Sequence, residues 1–232
     1  MKIIFIDYRA TKEEKENLGK LGYKVLTVPP NNNLYEAVCG HPDMLLHVLN
    51  ENTIIVHKDM DLKFIDFLKS QNINVIFSEK SLSSNYPLDI ILNAVNLDNI
   101  FMHNIKYTDS VLLKMIKHKK IINVKQGYSK CSTAIVRNNA VMTSDKKIAK
   151  SLYEEGIDVL LLPPGDILLP YLNYGFIGGC CGLLEDNIIA FYGDLHNYLY
   201  GKDVFDFLKK HKVEPVFLSK GKLIDRGSIL TI

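Results

Sequence analysis

His41-Pro42-Asp43 is the stretch of this sequence whose residue types and spacing most readily do chemistry. An imidazole gives or takes a proton near neutral pH, and a carboxylate two residues on can orient it or hold a cation. The following residues Met44, Leu45 and Leu46 are apolar, so the polar pair stands out. The plain alternative is a strand entry whose imidazole caps a backbone group. His47, set among leucines and a valine, reads as a satisfied core histidine. Four cysteines (Cys39, Cys131, Cys180, Cys181) supply thiols, with neither the paired spacing of secreted disulfide frameworks nor a C-x-x-C motif. Cys39-Gly40-His41 is the one close Cys/His pair and has no companion at ligand spacing, so neither a metal nor another cofactor is expected. Gly178-Gly179-Cys180-Cys181-Gly182 is followed by no Lys-Ser/Thr and no helix; its glycines point to close backbone approach rather than to a phosphate loop.

The elements that must position these residues are short and recur. Ile3-Ile6 reads as a buried strand, and Thr11 with Glu14 three residues on forms a capping-box opening for a helix that stops at Gly22. Tyr23-Val28 is the next strand, closed by Pro29-Pro30. From there one order repeats: strand, tight turn, strand, helix, strand. Expected first strands are Asp43-Leu49, Asp89-Val95, Cys131-Val136, Gly178-Leu184 and Ile224-Ile232. Their partners are Thr53-His57, Ile100-His103, Val141-Thr143 and Ile188-Tyr192, followed by helices at Asp61-Ser70, Thr108-His118, Asp145-Glu155 and Val204-Lys210. Third strands fall at Val75-Phe77, Ile121-Val124, Val159-Leu162 and Val213-Leu218. The chain ends one strand short, and Ile3-Ile6 supplies it. The hairpin turns end at Asn52, Asn99, Asn139 and Asn187, where a left-handed residue is expected and Asn tolerates it. The chain therefore reads as one α/β domain, residues 1–232, of five helix-plus-three-strand modules closed by its own ends.

Aligned on those asparagines, Asp43, Lys130 and Gly178 share a slot that Asp89 joins with a loop one residue longer and that Asp225 fills in the fifth module. Strand alternation would then put Asp43 and His47, Asp89 and Asn93, and Lys130 and Ser132 on one inward face. The same parity turns Cys131 towards the core and Cys180 inward. Carboxylates and a lysine converging on a central channel suit a small cationic or zwitterionic ligand. The Gln126-Lys130 loop and Pro163-Asp166 would rim the channel mouth, with Asp166 a candidate ligand contact. Arg226 can pair a carboxylate from substrate or from its neighbours.

Composition narrows the class. The 232 residues are 47% hydrophobic and 23% charged with a net charge of +2, the profile of an ordinary globular chain. That charge offers no case for a nucleic-acid partner or an anionic membrane, and the basic run Lys114 to Lys120 reads as a solvated helix end. No apolar run approaches a membrane span or a signal-peptide core, so a cytoplasmic location is expected.

Five such modules resemble the pentein fold, the five-bladed α/β propeller of the guanidine-modifying enzymes. That superfamily includes arginine deiminases, dimethylarginine hydrolases and amidinotransferases, and also non-catalytic members such as a ribosome anti-association factor. The resemblance implies that a cysteine attacks a guanidinium carbon, assisted by a His-x-Asp-type histidine and an acidic residue. Here the fifth module, Leu223-Ile224-Asp225-Arg226-Gly227-Ser228, has no cysteine, and the His-x-Asp match His41-Pro42-Asp43 lies in the first. Cys131 follows it by two modules, the family's His-to-Cys offset, which implies the same constellation rotated around the ring. On this reading Cys131 is the nucleophile (Cys180 the second choice) and His41 the acid and base. Asp225, Asp43, Asp89, Asn93, Lys130, Ser132 and Asp166 complete the site. The expectation is Cys-dependent hydrolysis or group transfer on a guanidino, amidino or amino-acid-like molecule; the alternative is a non-catalytic propeller that binds a protein or the ribosome.

Overall fold

One local pattern, a buried strand followed by a helix and a half-buried strand, builds most of this chain. In the computed structural model, which describes residues 1–232, the elements run as follows. First come β1 (Ile3–Asp7), α1 (Lys12–Lys20), β2 (Lys24–Val28), the one-turn helix α2 (Pro42–Leu45), β3 (Leu46–Asn50), β4 (Thr53–Val56), α3 (Leu62–Ser70) and β5 (Asn74–Phe77). Then come β6 (Val95–Asn96), β7 (Ile100–His103), α4 (Ser110–Met115), β8 (Lys120–Asn123), β9 (Thr133–Arg137), β10 (Ala140–Thr143), α5 (Lys146–Tyr153) and β11 (Asp158–Leu161). A 3-10 turn (Ile177–Cys180), β12 (Cys181–Glu185), β13 (Ile188–Phe191), α6 (Gly201–Lys210), β14 (Glu214–Phe217) and β15 (Leu230–Thr231) complete the chain.

The strands form five separate three-stranded sheets, in the orders β15-β1-β2, β3-β4-β5, β6-β7-β8, β9-β10-β11 and β12-β13-β14. In each, the middle strand pairs antiparallel with one neighbour and parallel with the other, which lies across the helix in sequence. The middle strands carry near-continuous Ile, Val, Phe and Met runs because both of their faces are covered. The C-terminal strand pairs with the N-terminal one, Phe5 opposite Leu230, so the first sheet is built from both ends of the chain.

Helix starts follow their capping chemistry. Thr11 and Glu14 form the reciprocal capping box, and Asp61, Asp109 and Asp145 each accept from a first-turn amide. The repeat's left-handed residue lies elsewhere than expected. Asn52, Asn99, Asn139 and Asn187 are not left-handed; instead, their carbonyls accept from Asn74, Lys120, Asp158 and Glu214, the first residue of each third strand. Positive φ falls two residues before the third strand, after the helix, in the modules of β2, β5, β11 and β14, at Gly22, Asn72, Gly156 and Lys212, and not in that of β8.

The first strand of each sheet starts later than the sequence suggests. Asp43–Leu45 is the α2 turn, residues 129–132 and 86–89 are turns, and Ile177–Cys180 is the 3-10 turn. Only Val95–Asn96 of the second expected strand and Leu230–Thr231 of the fifth pair in a ladder. Pro42 at the first helical position and the bonds from Met44 and Leu45 N–H to the His41 carbonyl stabilise the α2 turn. A short apolar run does not by its periodicity distinguish such a turn from a strand. Four buried apolar clusters fill the space between the sheets and their helices, and no helix is long and apolar enough to cross a membrane.

Candidate active site

The segments entering β3, β6, β9, β12 and β15 meet in one buried hydrogen-bonded group. At its centre the Cys131 thiol donates to Asp43 Oδ2 at 3.1 Å. Ser228 Oγ stands 2.6 Å from the same carboxylate oxygen and 2.7 Å from the Gly178 carbonyl, so its one proton is shared between two acceptors. The Lys130 ammonium donates to Ser228 Oγ at 3.0 Å. Asn93 fixes the Cys131 turn from two sides: its side-chain amide donates to Cys131 Sγ at 3.1 Å, and its side-chain oxygen accepts from the Lys130 and Cys131 amides.

His41 completes the group. A His41 ring nitrogen, an Asp43 oxygen and Cys131 Sγ all lie within 4.8 Å of one another. His41 Nδ1 stands 3.8 Å from Asp225 Oδ1, and neither ring nitrogen has a hydrogen-bond partner although the ring is buried. Asp225 is held by the amides of Phe176 and Gly227, at 2.9 and 3.0 Å. Two glycines make room for these contacts. A Cβ on Gly227, itself left-handed at φ +70, would stand 2.1 Å from His41 Cβ, and one on Gly179 would stand 2.0 Å from Asp225 Oδ1.

Burial sets the charge states. Desolvation, and then the Asp43 and Asp225 carboxylates, push the Cys131 thiol well above its ordinary value, so it is a neutral donor here. Burial also raises the Asp225 carboxyl, with Asp43 adding to it and His41 opposing. This is a cluster short of positive charge. Its imidazole, carboxylate and thiol are donors of the types zinc takes; His41 and Asp43 lie two residues apart, and the thiol comes from a segment 88 residues beyond Asp43.

The strand-parity reading of the cysteines is corrected for Cys180 and holds in part for Cys131. Cys131 lies in an apolar cluster, as that parity expects, but its thiol is bonded to Asp43, while Cys180, expected inward, lies in another apolar cluster and donates to the Ile177 carbonyl at 3.1 Å. Alternation fails because both cysteines precede the strands, in turns. The structure thus brings His41, Asp43, Asn93, Lys130, Cys131 and Asp225 together and leaves Cys180 outside. Ser132 is buried beside them, its hydroxyl without a partner. Asp166 stands apart, spent on Lys222 at 2.5 Å and the Leu199 amide at 2.8 Å. Arg226 is also committed elsewhere, to Glu14 and the Arg9 carbonyl. His47 is a core histidine bonded to the Leu92 carbonyl.

Asp89 is buried but bonded differently. Tyr128 donates to its Oδ2 at 2.5 Å, Tyr35 Oη lies 3.3 Å from Tyr128 Oη, and Asp89 Oδ1 has no partner. Burial raises this carboxyl, while the Tyr128 bond works against the rise. Tyr35, Gly227 and Ser228 were not singled out by sequence reasoning. Ser228 closes the quoted fifth-module run, but its left-handed φ of 70 and its bond to Asp43 have no sequence signature.

The architecture is found in solved enzymes. DDAH from Pseudomonas aeruginosa, complexed with citrulline, matches at TM-score 0.57 and 8% identity over 93% of this chain and 90% of its own. An agmatine deiminase of C. jejuni matches at TM-score 0.56 and 10% identity, covering 94% of this chain and 86% of that one. SxtG, an amidinotransferase of Microseira wollei from the saxitoxin biosynthetic pathway, matches at 0.55 and 12%, covering 89% and 74%. At such low identities the structural matches show the fold alone, that of the pentein superfamily, which the module order resembles. No curated protein matches the sequence. By its own sequence, matched by the family model from residue 5 to 230, the chain belongs to the family of unknown function DUF6873.

Proposed function

We propose that residues 1–232 form a single closed five-bladed propeller whose central cluster binds a small cationic guanidine or amidine, with Cys131 as the nucleophile. The observation that carries this reading is the Cys131 thiol bonded to Asp43, with the unpartnered, buried His41 ring within 4.8 Å of both. Closure is supported by the pairing of β15 with β1. The chemistry is supported by the neighbours' names, amidinotransferase, DDAH and agmatine deiminase.

A guanidinium arriving between Asp43 and Asp225 supplies the positive charge that this buried group lacks and removes the field that keeps the thiol protonated. Cys131 Sγ then bonds to the central carbon while its proton passes to His41, and the C=N electron pair moves onto nitrogen. His41 returns that proton to the departing nitrogen as its C–N bond breaks, leaving the carbon bound to sulfur. Water gives hydrolysis and an amine gives transfer, either one losing its proton to His41. Asp225 orients the imidazole, Asn93 positions the sulfur, and Lys130 with Ser228 props Asp43. Asp89, with Tyr35 and Tyr128, offers a further acceptor for a polar or cationic tail.

The test is release of ammonia or amine from a panel of guanidino and amidino compounds. Wild-type protein should turn over at least one of them, Cys180→Ser should retain most of the rate, and Cys131→Ser should lose at least a hundredfold. No release above that of Cys131→Ser across the panel would overturn the enzyme reading and leave a non-catalytic binding protein.

A further inference from the structure

The groups placed at the centre of the chemistry are shut away from solvent. His41 and Asp43 are 1% exposed, Asp225 3% and Cys131 4%. A cleft of about 250 Å3 among the strand residues reaches Asp43 and Lys130, but neither Cys131 nor His41 lines it. The thiol is thus approached from the side of the entry turns, through a cover that has to move.

Tyr35 and Tyr128 make that cover. Both are half-buried and both pack against the apolar cluster that contains Cys131. Tyr35 lies on the loop from Asn31 to Cys39 that leads into His41. Tyr128 stands three residues before Cys131, and its carbonyl accepts from the Ser132 amide. Tyr128 Oη donates to Asp89 Oδ2 at 2.5 Å, which uses its one proton, so Tyr35 Oη, 3.3 Å away, is the donor in the bond between the two hydroxyls. Asp89 lies four residues before Asn93, whose side-chain amide holds the Cys131 sulfur. Three of the segments that deliver the cluster are therefore tied together ahead of their entry turns by one chain of hydroxyls. Burial raises the Tyr35 hydroxyl pKa, the Tyr128 bond opposes the rise, and Asp89, Cys131 and Asp225 add to it, so this hydroxyl stands within the field of the cluster.

The links of the chain are unequal. An O–H···O bond is ordinarily about 2.7–2.8 Å long, so the bond at 3.3 Å is the weak one. The rest of the loop is anchored. The Asn31 amide donates to the Cys39 carbonyl at 2.8 Å, and Arg9 donates to the carbonyls of Glu36 and Ala37 at 2.6 and 3.1 Å. We propose that the Tyr35 hydroxyl is a latch: its bond to Tyr128 holds the entrance over Cys131 closed, and a ligand is admitted when that bond breaks and the Tyr35 side chain swings out on its anchored loop. The latch rests on the reading of Cys131 as the site of attack.

Labelling of Cys131 by 2-chloroacetamide, a small neutral reagent, tests the latch without turnover, the labelled thiols being distinguished by peptide mass spectrometry. Over a pH series Tyr35→Phe, which keeps the ring and loses the bond, should label Cys131 at least about threefold faster than the wild type at every pH. Tyr35→Ala, which removes the cover as well, should label it at least about tenfold faster. Cys180, buried in a different apolar cluster, should label at the wild-type rate in both variants. A Cys131 rate in Tyr35→Phe equal to that of the wild type, a gain that comes from a shifted midpoint alone, or a matching gain at Cys180, the sign of general unfolding, would each overturn the latch. A chain in which the latch passes this test, yet which releases nothing from the guanidino panel, loses the catalytic reading and keeps the latch.

Discussion

Cys131 and Asp43 define this protein at the scale of single residues, and their juxtaposition makes a quantitative demand. A thiol raised by burial and by two carboxylates should alkylate with a midpoint above the ordinary thiol value of about 8.5 in the free protein. Rapid labelling of Cys131 at pH 7 with no ligand present would contradict that charge assignment. Asp43→Asn removes the nearest negative charge, so the midpoint should fall, and thermal stabilisation by guanidino compounds should disappear. Stabilisation that survives in this variant would place the cation elsewhere. Part of the residue set was legible in advance: His41 and Asp43 stand out before an apolar run, while Cys131 and Asp225, set among polar neighbours, are reached through the module offset that the resemblance implies. What was not legible was direction. Whether Cys131 faces Asp43 depends on one turn before β9, and apolar periodicity does not report such a turn.

The elements show why the asparagines misled in conformation while marking the repeat correctly. They occupy equivalent places because each lends its carbonyl to the next parallel strand. The left-handed residue is needed instead after the helix, where the chain reverses into that strand, and here Gly22 and Gly156 occupy the slot without steric cost. Lys212 occupies the same slot at φ 54. Lys212→Gly should therefore stabilise the protein by about 1 kcal/mol in urea denaturation. An unchanged or lowered midpoint would mean that the lysine carries compensating contacts. Gly227→Ala makes the opposite test. It combines a left-handed backbone with a Cβ 2.1 Å from His41, so it should lower stability by at least about 1 kcal/mol and weaken guanidino binding. Wild-type stability and binding in Gly227→Ala would show that His41 is not held where the structure puts it.

Across the whole molecule, five sheets of one design were readable because module order survives in strand and helix signals even where boundaries slip. Burial across those sheets also fixes how the fold responds to acid. Desolvation lowers His47 to about 3 and His57 and His103 to about 4, against about 6.5 in an unfolded chain. Between those limits the unfolded chain binds the extra protons, so the stability these rings contribute is complete above about 6.5 and declines as pH falls towards 4. By pH 5 the loss should be about 2 kcal/mol per histidine, and a stability flat from pH 7 to 5 would show that these rings are not buried neutral. A different charge governs the Cys131 cluster, where two carboxylates face one ammonium, that of Lys130, and a second cation is wanting. That shortfall is tested most directly by comparing Cys131 alkylation by 2-chloroacetamidine, a cation, with that by the neutral 2-chloroacetamide, the modified cysteine being located by peptide mass spectrometry. The cation should label Cys131 at least tenfold faster, and Asp43→Asn should abolish the preference. Equal rates for the two reagents, or labelling at another cysteine in place of Cys131, would contradict it.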